Sequence, residues 1–297
     1  MTQRQNPAKW QWFDEARFGL FIHWGSTSQW GRGEQVMIRE LLDQEQFAAR
    51  ACSWNPQRFD AAEWASLARK AGMRYAVFVA RHHDGFTLWN SRYTDYSSAA
   101  QVAGRDFVAE FVSAFRAEGL RVGLYYSWSD WRIPAFFAGP EENPREWGEY
   151  LDYVHGQIRE LVTNYGKIDL LWLDGVWPHS AAVWRSAELV ESVRALQPEI
   201  LINNRLGYAS GFDTSRPGMD LDALLNEGLA GDFGTPEHHI TPDPQRLWES
   251  CQTSTWRLWG NCPGERWRPT DLWLDYLCEG HRQPRPGATA VPLVDTP

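Results

Sequence analysis

The chain has 297 residues, of which 43% are hydrophobic, and its formal net charge at pH 7 is −9. This length suits one large α/β domain or two smaller ones. The acidic balance argues against nucleic acid or an anionic membrane surface as a partner, because both favour clustered lysine and arginine.

Short apolar runs alternate with amphipathic runs along the first two thirds of the chain, which is typical of βαβ units and a parallel sheet. The apolar runs predict five strands, at 18–25, 75–80, 122–127, 168–174 and 200–203. The amphipathic runs predict four helices, at 60–72, 108–119, 147–165 and 181–196. Nearly continuous apolar strands indicate a sheet buried on both faces. We therefore predict an α/β fold of the TIM-barrel type, (β/α)8-like and irregular, with a doubly wound open sheet as the alternative.

The pattern loosens after residue 206. Residues 207–246 are rich in glycine, proline, aspartate and threonine, and such a long stretch is usually functional or disordered. A further strand is predicted at 247–253, a helix at 270–278 and a short last strand at 288–294. No linker interrupts the first 280 residues, so we expect one domain over 1–297, with 281–297 as a divergent tail.

Targeting signals and cysteine spacing give two further expectations. No apolar stretch approaches the ~20 residues of a membrane-spanning helix, and the first residues lack the apolar core of a secretion signal. We therefore expect a cytoplasmic location and no membrane partner. The four cysteines show no CxxC pair, which predicts free thiols.

Polar side chains gather where the predicted strands end. They are His23, Arg81, His82, His83, Asp84, Tyr126, Asp130, Asp174, Asn203, Asn204 and Arg205. In a βα-barrel the carboxyl ends of the strands meet at one mouth, so these side chains would share one site. Asp174 ends the apolar run IDLLWLDG, and an acid in such a buried position is costly unless it is used. We therefore place Asp174 at the centre of the predicted chemistry.

Metal binding is the competing use of these histidines. Adjacent side chains on a strand point to opposite faces, so His82 and His83 could face one ion only if the strand had already ended. Imidazole, tyrosine, amide and guanidinium groups suit the hydroxyls of a sugar ring better. We therefore predict a carbohydrate site that needs no metal and no cofactor, with a metal-dependent hydrolase as the alternative.

Several sequence strings together resemble the retaining α-L-fucosidases, a family of glycoside hydrolases. In chain order they are FGLFIHWG, RHHDGF, GLYYSWSDW, IDLLWLDG, GDFGTPEHH and WESC, and the match runs from about residue 12 to about residue 278. The resemblance implies an irregular barrel in which Asp174 is the nucleophile and Glu237 the acid/base. It also implies contacts with fucose, or with the catalytic groups, from His23, Glu34, His82, His83, Trp172 and Arg205. From the strand-end pattern we add Tyr126 as a substrate-binding residue.

The chain departs from the family pattern in three places. Gln35 and Val36 stand where the family often has Trp-Tyr, and TWRLWGN at 255–261 replaces a SWGYN-like stretch. The acid/base position varies within the family, so Glu227 and Glu249 remain alternatives to Glu237. Glu249 could equally be a structural partner of an arginine such as Arg205. We expect no C-terminal β-sandwich.

A retaining glycosidase needs two carboxyl groups about 5–5.5 Å apart, one ionised and one protonated. We expect Asp174 to be ionised and held by histidine or tyrosine, and Glu237 to have a raised pKa in aromatic surroundings. Trp172 or Trp24 would form an apolar wall for the fucose methyl group. The predicted function is removal of terminal α-L-fucosyl residues from fucosylated glycans. The alternative is a weak or inactive sugar-binding barrel; the sequence sets neither the linkage preference nor the oligomeric state.

Overall fold

Eight parallel strands form the centre of the fold. The computed structural model describes residues 8–209, 225, 228–229, 231–240, 243, 246–256, 258–282 and 288–293. The strands are β1 (Phe18–Ile22), β2 (Tyr75–Arg81), β3 (Arg121–Ser127), β4 (Leu170–Asp174), β5 (Leu201–Ile202), β6 (Phe233–Gly234), β7 (Leu247–Cys251) and β8 (Ala288–Leu293).

The sheet closes on itself. Its hydrogen-bonded order is β5-β4-β3-β2-β1-β8-β7-β6, and a parallel bridge between Asn203 and Phe233 joins the two ends. The strands therefore follow chain order around a ring, so the closed barrel is confirmed and the open sheet is wrong. The sequence did not predict β6, because two residues in a loosely patterned stretch carry no periodicity.

Helices surround the barrel. They are α1 (Gln11–Ala16), α2 (Val36–Arg39), α3 (Gln44–Cys52), α4 (Ala61–Lys70), α5 (Phe107–Ala117), α6 (Pro134–Glu142), α7 (Pro144–Thr163), α8 (Ser186–Leu196) and α9 (Thr270–Arg282). Side chains of Asp60, Asp106 and Asn143 accept backbone N–H groups at the starts of α4, α5 and α7. In the described part of the chain, no helix is long and apolar enough to cross a membrane.

Side chains alternate between two cores. In β2, Tyr75, Val77 and Val79 belong to the cluster that fills the barrel, which draws residues from β1 to β7. Ala76, Phe78 and Ala80 belong to the cluster between the barrel and the helices. This period-two alternation is the expected consequence of strand geometry, and it decides which strand residues can reach the barrel mouth.

The tail contributes the last strand. β8 pairs with β1 from Phe18 opposite Thr289 to Ile22 opposite Leu293, and it pairs with β7 over three residues. The tail therefore completes the barrel, as the prediction of a strand at 288–294 anticipated. The four cysteines are free thiols, as predicted.

Candidate active site

A pocket lies at the carboxyl ends of the strands. It encloses about 430 Å³ of space, its open mouth included, which is within the usual range for small-molecule sites. Seven of the nine predicted site residues line it: His23, His82, His83, Trp172, Asp174, Arg205 and Glu237. Phe21, Gln35, Tyr125, Trp177, Cys251 and Trp259 complete its walls.

Asp174 ends β4 and is 8% exposed. The Tyr125 hydroxyl donates a hydrogen bond to Oδ2 at 2.8 Å, and Arg205 Nη1 donates to Oδ1 at 2.7 Å. Burial by itself raises the pKa of Asp174, but the charge of Arg205 and these two hydrogen bonds outweigh it, so the pKa lies below its ordinary value. The carboxylate is therefore ionised at neutral pH and held by a tyrosine and an arginine.

Arg205 joins the two predicted catalytic carboxylates. Its Nη2 lies 2.5 Å from Glu237 Oε1, while its Nη1 binds Asp174. The guanidinium lies 4.7 Å above the Trp172 ring, and its Nε donates to the Thr235 hydroxyl at 3.1 Å. Asp174 and Glu237, which follow different strands, therefore meet at the two ends of one planar group.

The contact with Arg205 also bears on the charge of Glu237. A neighbouring cation favours the ionised form of a carboxyl group. The Glu237 side chain is 32% exposed, so water solvates this charge as well. An arginine and solvent, and not the apolar surroundings that we expected, therefore adjoin the Glu237 carboxyl group.

Three histidines that line the pocket are uncharged at neutral pH. Burial lowers the pKa of His23 to about 3 and that of His83 to about 4, and it lowers the pKa of His82 well below the ordinary value. Each neutral ring offers one donor and one acceptor. His82 and His83 both face the pocket, although adjacent side chains on a strand would point to opposite faces. They can do so because β2 ends at Arg81 and both histidines follow the strand. The described residues contain no group of three or more His, Cys, Asp or Glu side chains that could hold a metal ion.

Glu249 lies inside the barrel and does not line the pocket. It is fully buried and accepts hydrogen bonds from Tyr75, from Trp172 Nε1 at 3.0 Å and from the Cys251 thiol at 3.1 Å. Burial raises its pKa above the ordinary value. The expected pairing of Glu249 with Arg205 is therefore wrong, since Arg205 uses Asp174 and Glu237. The other alternative, Glu227, lies outside the described residues.

Two predicted binding residues lie elsewhere. Tyr126 is fully buried on the outer side of β3, where its hydroxyl donates to Gln157 at 2.8 Å. It cannot reach the pocket, and its neighbour Tyr125 takes the position that we had predicted for it. The prediction failed because strand alternation puts adjacent residues on opposite faces. Glu34 lies beside the pocket, where its carboxylate accepts the backbone N–H groups of Trp259 and Gly260 at 3.1 and 2.9 Å.

Trp24, one of the two candidates for an apolar wall, also points away. Its ring stacks on Phe59 at 4.5 Å in the core between barrel and helices. Trp172 does face the pocket, together with Phe21 and Trp259, neither of which the sequence had singled out. The apolar part of the pocket is therefore aromatic and lies within the barrel.

A closed (β/α)8 barrel with two carboxylates at its mouth is an arrangement shared by many glycoside hydrolases. The sequence profile of the alpha-L-fucosidase family matches residues 1–278. The chain belongs to the alpha-L-fucosidase family of glycoside hydrolases.

Characterised relatives and solved structures agree with this assignment. The chain is 32% identical to the tissue alpha-L-fucosidase of Rattus norvegicus, over 66% of this chain and 47% of that protein. It is 28% identical to the alpha-L-fucosidase of Dictyostelium discoideum, over 82% of this chain and 55% of that protein. The chain therefore spans about half the length of the curated relatives it matches.

Two solved structures are similar over nearly all of this chain. Alpha-L-fucosidase isoenzyme 1 from Paenibacillus thiaminolyticus has a TM-score of 0.83 at 35% identity, covering 97% of this chain and 70% of that one. The alpha-L-fucosidase from Lactobacillus casei in complex with alpha-L-fucose has a TM-score of 0.79 at 25% identity, covering 97% and 91%.

Proposed function

We propose that this chain hydrolyses terminal α-L-fucosyl residues from glycoconjugates with retention of configuration. The observation that carries the proposal is the joint binding of Asp174 and Glu237 to one guanidinium in a sugar-sized pocket. A retaining glycosidase requires two carboxyl groups close together, and their contacts with the same guanidinium support this pair for the role.

Asp174 acts as the nucleophile in the proposed reaction. Its ionised carboxylate forms a bond to C1 of fucose while the bond from C1 to the leaving oxygen breaks, and Glu237 gives its proton to that oxygen. In the second step Glu237 takes a proton from water, the water oxygen bonds to C1, and the bond to Asp174 breaks. Two inversions at C1 give net retention.

Glu237 must be protonated for the first step, whereas Arg205 favours its charged form. We infer that bound sugar draws Glu237 away from Arg205, because the leaving oxygen replaces the guanidinium as the hydrogen-bond partner of its carboxyl group. Exclusion of water and the charge of Asp174 then favour the protonated acid. On this account Glu237 is uncharged in the complex and charged in the free enzyme.

The aromatic wall supports fucose as the sugar. Trp172, Phe21 and Trp259 provide an apolar surface for the methyl group that fucose carries at C5. Such a surface discriminates against a hydroxymethyl group by only about 1–3 kcal/mol. We expect weaker turnover of an aryl α-L-galactoside than of an aryl α-L-fucoside, which parallel kinetics of the two substrates measure.

Relatives lend support to the substrate and the covalent step. A variant of the Lactobacillus casei enzyme has been solved with Fuca(1,6)GlcNAc, at 25% identity to this chain. A variant of an alpha-L-fucosidase from Bacteroides thetaiotaomicron, 27% identical, has been solved as a trapped covalent intermediate with 2-fluoro-fucosyl fluoride.

The test is the Asp174→Gly variant assayed with an aryl α-L-fucoside. Hydrolysis should collapse, and added azide should restore release of the aryl group and give a fucosyl azide with inverted configuration at C1. Asp169→Gly is the matched control, because Asp169 precedes the same strand at its opposite end and pairs with Arg121. Near-normal hydrolysis by Asp174→Gly would refute the assignment.

A sugar-binding barrel without turnover is the competing function. A defective last strand would favour it, because the barrel mouth would then be loose. β8 pairs with both of its neighbours, and both carboxylates contact Arg205, which favours the enzyme. The competing function predicts that fucose binds in calorimetry while no fucoside is cleaved at any pH.

A further inference from the structure

The inner side of the His83 ring meets two serine hydroxyls. His83 Nδ1 lies 2.6 Å from Ser127 Oγ and 2.8 Å from Ser129 Oγ, and the two serine oxygens are 2.9 Å apart. Ser127 Oγ is also 3.0 Å from the carbonyl oxygen of Ser129. All three side chains are buried, so water does not supply other partners.

Counting hydrogens distinguishes the two neutral forms of the ring. If Nδ1 carries no hydrogen, its single lone pair accepts a hydrogen bond from one serine. The oxygen of the other serine then lies in contact with Nδ1 without a hydrogen between the two atoms, which is unfavourable. If Nδ1 carries the hydrogen, it donates to the serine oxygens, Ser127 donates to the Ser129 carbonyl, and Ser129 donates to Ser127. Only the second form satisfies every short contact.

The outer side of the ring agrees with that count. Nε2 lies 3.7 Å from Asp174 Oδ2, which is too long for a hydrogen bond. An N–H group at Nε2 would be drawn to the buried carboxylate beside it, whereas a lone pair would not. The separation is therefore what two acceptors adopt.

We propose that Ser127 and Ser129 are positioning residues that hold His83 as the Nδ1–H form, so that Nε2 accepts a hydrogen bond from a sugar hydroxyl. The sugar in this statement rests on the proposed function, whereas the form of the ring does not. His83 would then complement the Tyr125 hydroxyl and Arg205, which both point hydrogens into the pocket at Asp174.

The serines are themselves held from behind. Arg81 Nη2 donates to the carbonyl oxygens of Ser127 and Ser129 at 2.8 and 3.0 Å. A register shift between Val79 and Arg81 turns Arg81 toward the helices, so it reaches these carbonyls from outside the barrel. Gly175 leaves the space that the hydroxyls fill, since a Cβ there would lie 2.7 Å from Ser129 Oγ and 2.8 Å from Ser127 Oγ.

The primary test is nitrogen NMR of the free wild-type protein labelled with 15N-histidine. His83 is assigned by the signals that disappear in His83→Gln. We expect the pattern of a neutral ring protonated at Nδ1, unchanged between pH 5 and pH 8. A ring protonated at Nε2, or at both nitrogens, would overturn the proposal whether or not the protein cleaves fucosides.

The double variant Ser127→Ala/Ser129→Ala tests the cause. Without the hydroxyls, the ring should change to the Nε2–H form, and kcat/KM for an aryl α-L-fucoside should fall roughly 5- to 150-fold, mainly through KM. Ser98→Ala is the control, because Ser98 is buried and donates to the Arg105 carbonyl at 2.7 Å away from the pocket. An unchanged ring form in the double variant would refute the role of the serines.

The readouts separate this proposal from the proposed function. If the wild type shows the Nδ1–H form but cleaves no fucoside, the ring assignment stands and the function fails. If it cleaves fucosides with the Nε2–H form, the function stands and the serine proposal fails.

Discussion

Arg205→Gln is the substitution that most directly tests the link between Asp174 and Glu237. In the native site Nη1 binds Asp174 at 2.7 Å and Nη2 binds Glu237 at 2.5 Å. A glutamine amide carries no charge and cannot serve both carboxylates. Burial would then dominate at Asp174, whose pKa should rise.

The size of the effect follows from burial. Asp174 is 8% exposed, and removing the partner of a buried charge costs about 3–5 kcal/mol. Glu237 adds only about 0.2–1 kcal/mol, because its side chain is 32% exposed. At about 2 °C per kcal/mol for a chain of this size, Tm should fall by roughly 6–10 °C at pH 7.

The stability that Arg205→Gln loses should be greatest at neutral pH and smaller at low pH. Because the pKa of Asp174 is depressed in the folded protein, its contribution to stability is present above the unfolded value of 3.8 and is lost as the pH falls through the folded value. The stability difference between wild type and Arg205→Gln should therefore be largest at neutral pH and shrink as the pH falls through the raised pKa of Asp174 in the variant toward its lowered pKa in the wild type.

Two measurements check this reasoning. Denaturant unfolding at several pH values gives the stability difference, and the pH profile of kcat/KM with an aryl α-L-fucoside should show its acid limb moved to higher pH. Arg194→Gln is the control, since Arg194 pairs with Asp232 far from the pocket and should lose stability without moving the limb. A folded, active Arg205→Gln whose acid limb is unchanged would refute the account.

Three further substitutions test individual contacts. Tyr125→Phe removes the hydroxyl that donates to Asp174 and should lower kcat/KM roughly 10- to 100-fold. Tyr126→Phe should cost stability but leave kcat/KM unchanged, and equal losses of kcat/KM would contradict our placement of the two rings. Gly175 has φ +73° and lies against two serine hydroxyls, whereas Gly119 has φ +72° and open space around it. Gly175→Ala should therefore lower kcat/KM and lose more stability than Gly119→Ala, which suffers only the backbone strain. Equal losses of stability in denaturant unfolding would show that crowding against the serines has no effect. Because the pKa of Glu249 is raised in the folded protein, ionisation of this carboxyl group opposes folding as the pH rises above about 4.5. Glu249→Gln should therefore gain stability relative to wild type between pH 5 and pH 8, and it should stay active. A loss of more than about a thousandfold in kcat would instead make Glu249 the catalytic acid.

The strands that the sequence predicted well are those with long apolar runs. β2, β3 and β4 are buried over almost every residue, so composition alone identifies them. β6 has two residues and no run to recognise. Its neighbours on the barrel, not its own residues, determine that it is a strand.

The sequence predicted where the site lies in the fold, but it did not predict every residue of the site. Strand ends converge in a barrel, and that argument placed Asp174, Arg205 and the histidines at one mouth. It did not show which of the adjacent residues Tyr125 and Tyr126 points into the barrel, because the pairing of β3 with β2 and β4 determines which face each side chain takes. The link between Asp174 and Glu237 through Arg205 was also invisible, since it joins residues after three different strands.

The most direct test of the central claim is to trap the covalent intermediate. The wild-type protein is incubated with 2-fluoro-fucosyl fluoride and digested, and the labelled peptide is sequenced by mass spectrometry. The account predicts one fluorofucosyl group per chain, attached to Asp174. A label on any other carboxylate, or turnover of a fucoside by a protein that never acquires the label, would contradict it.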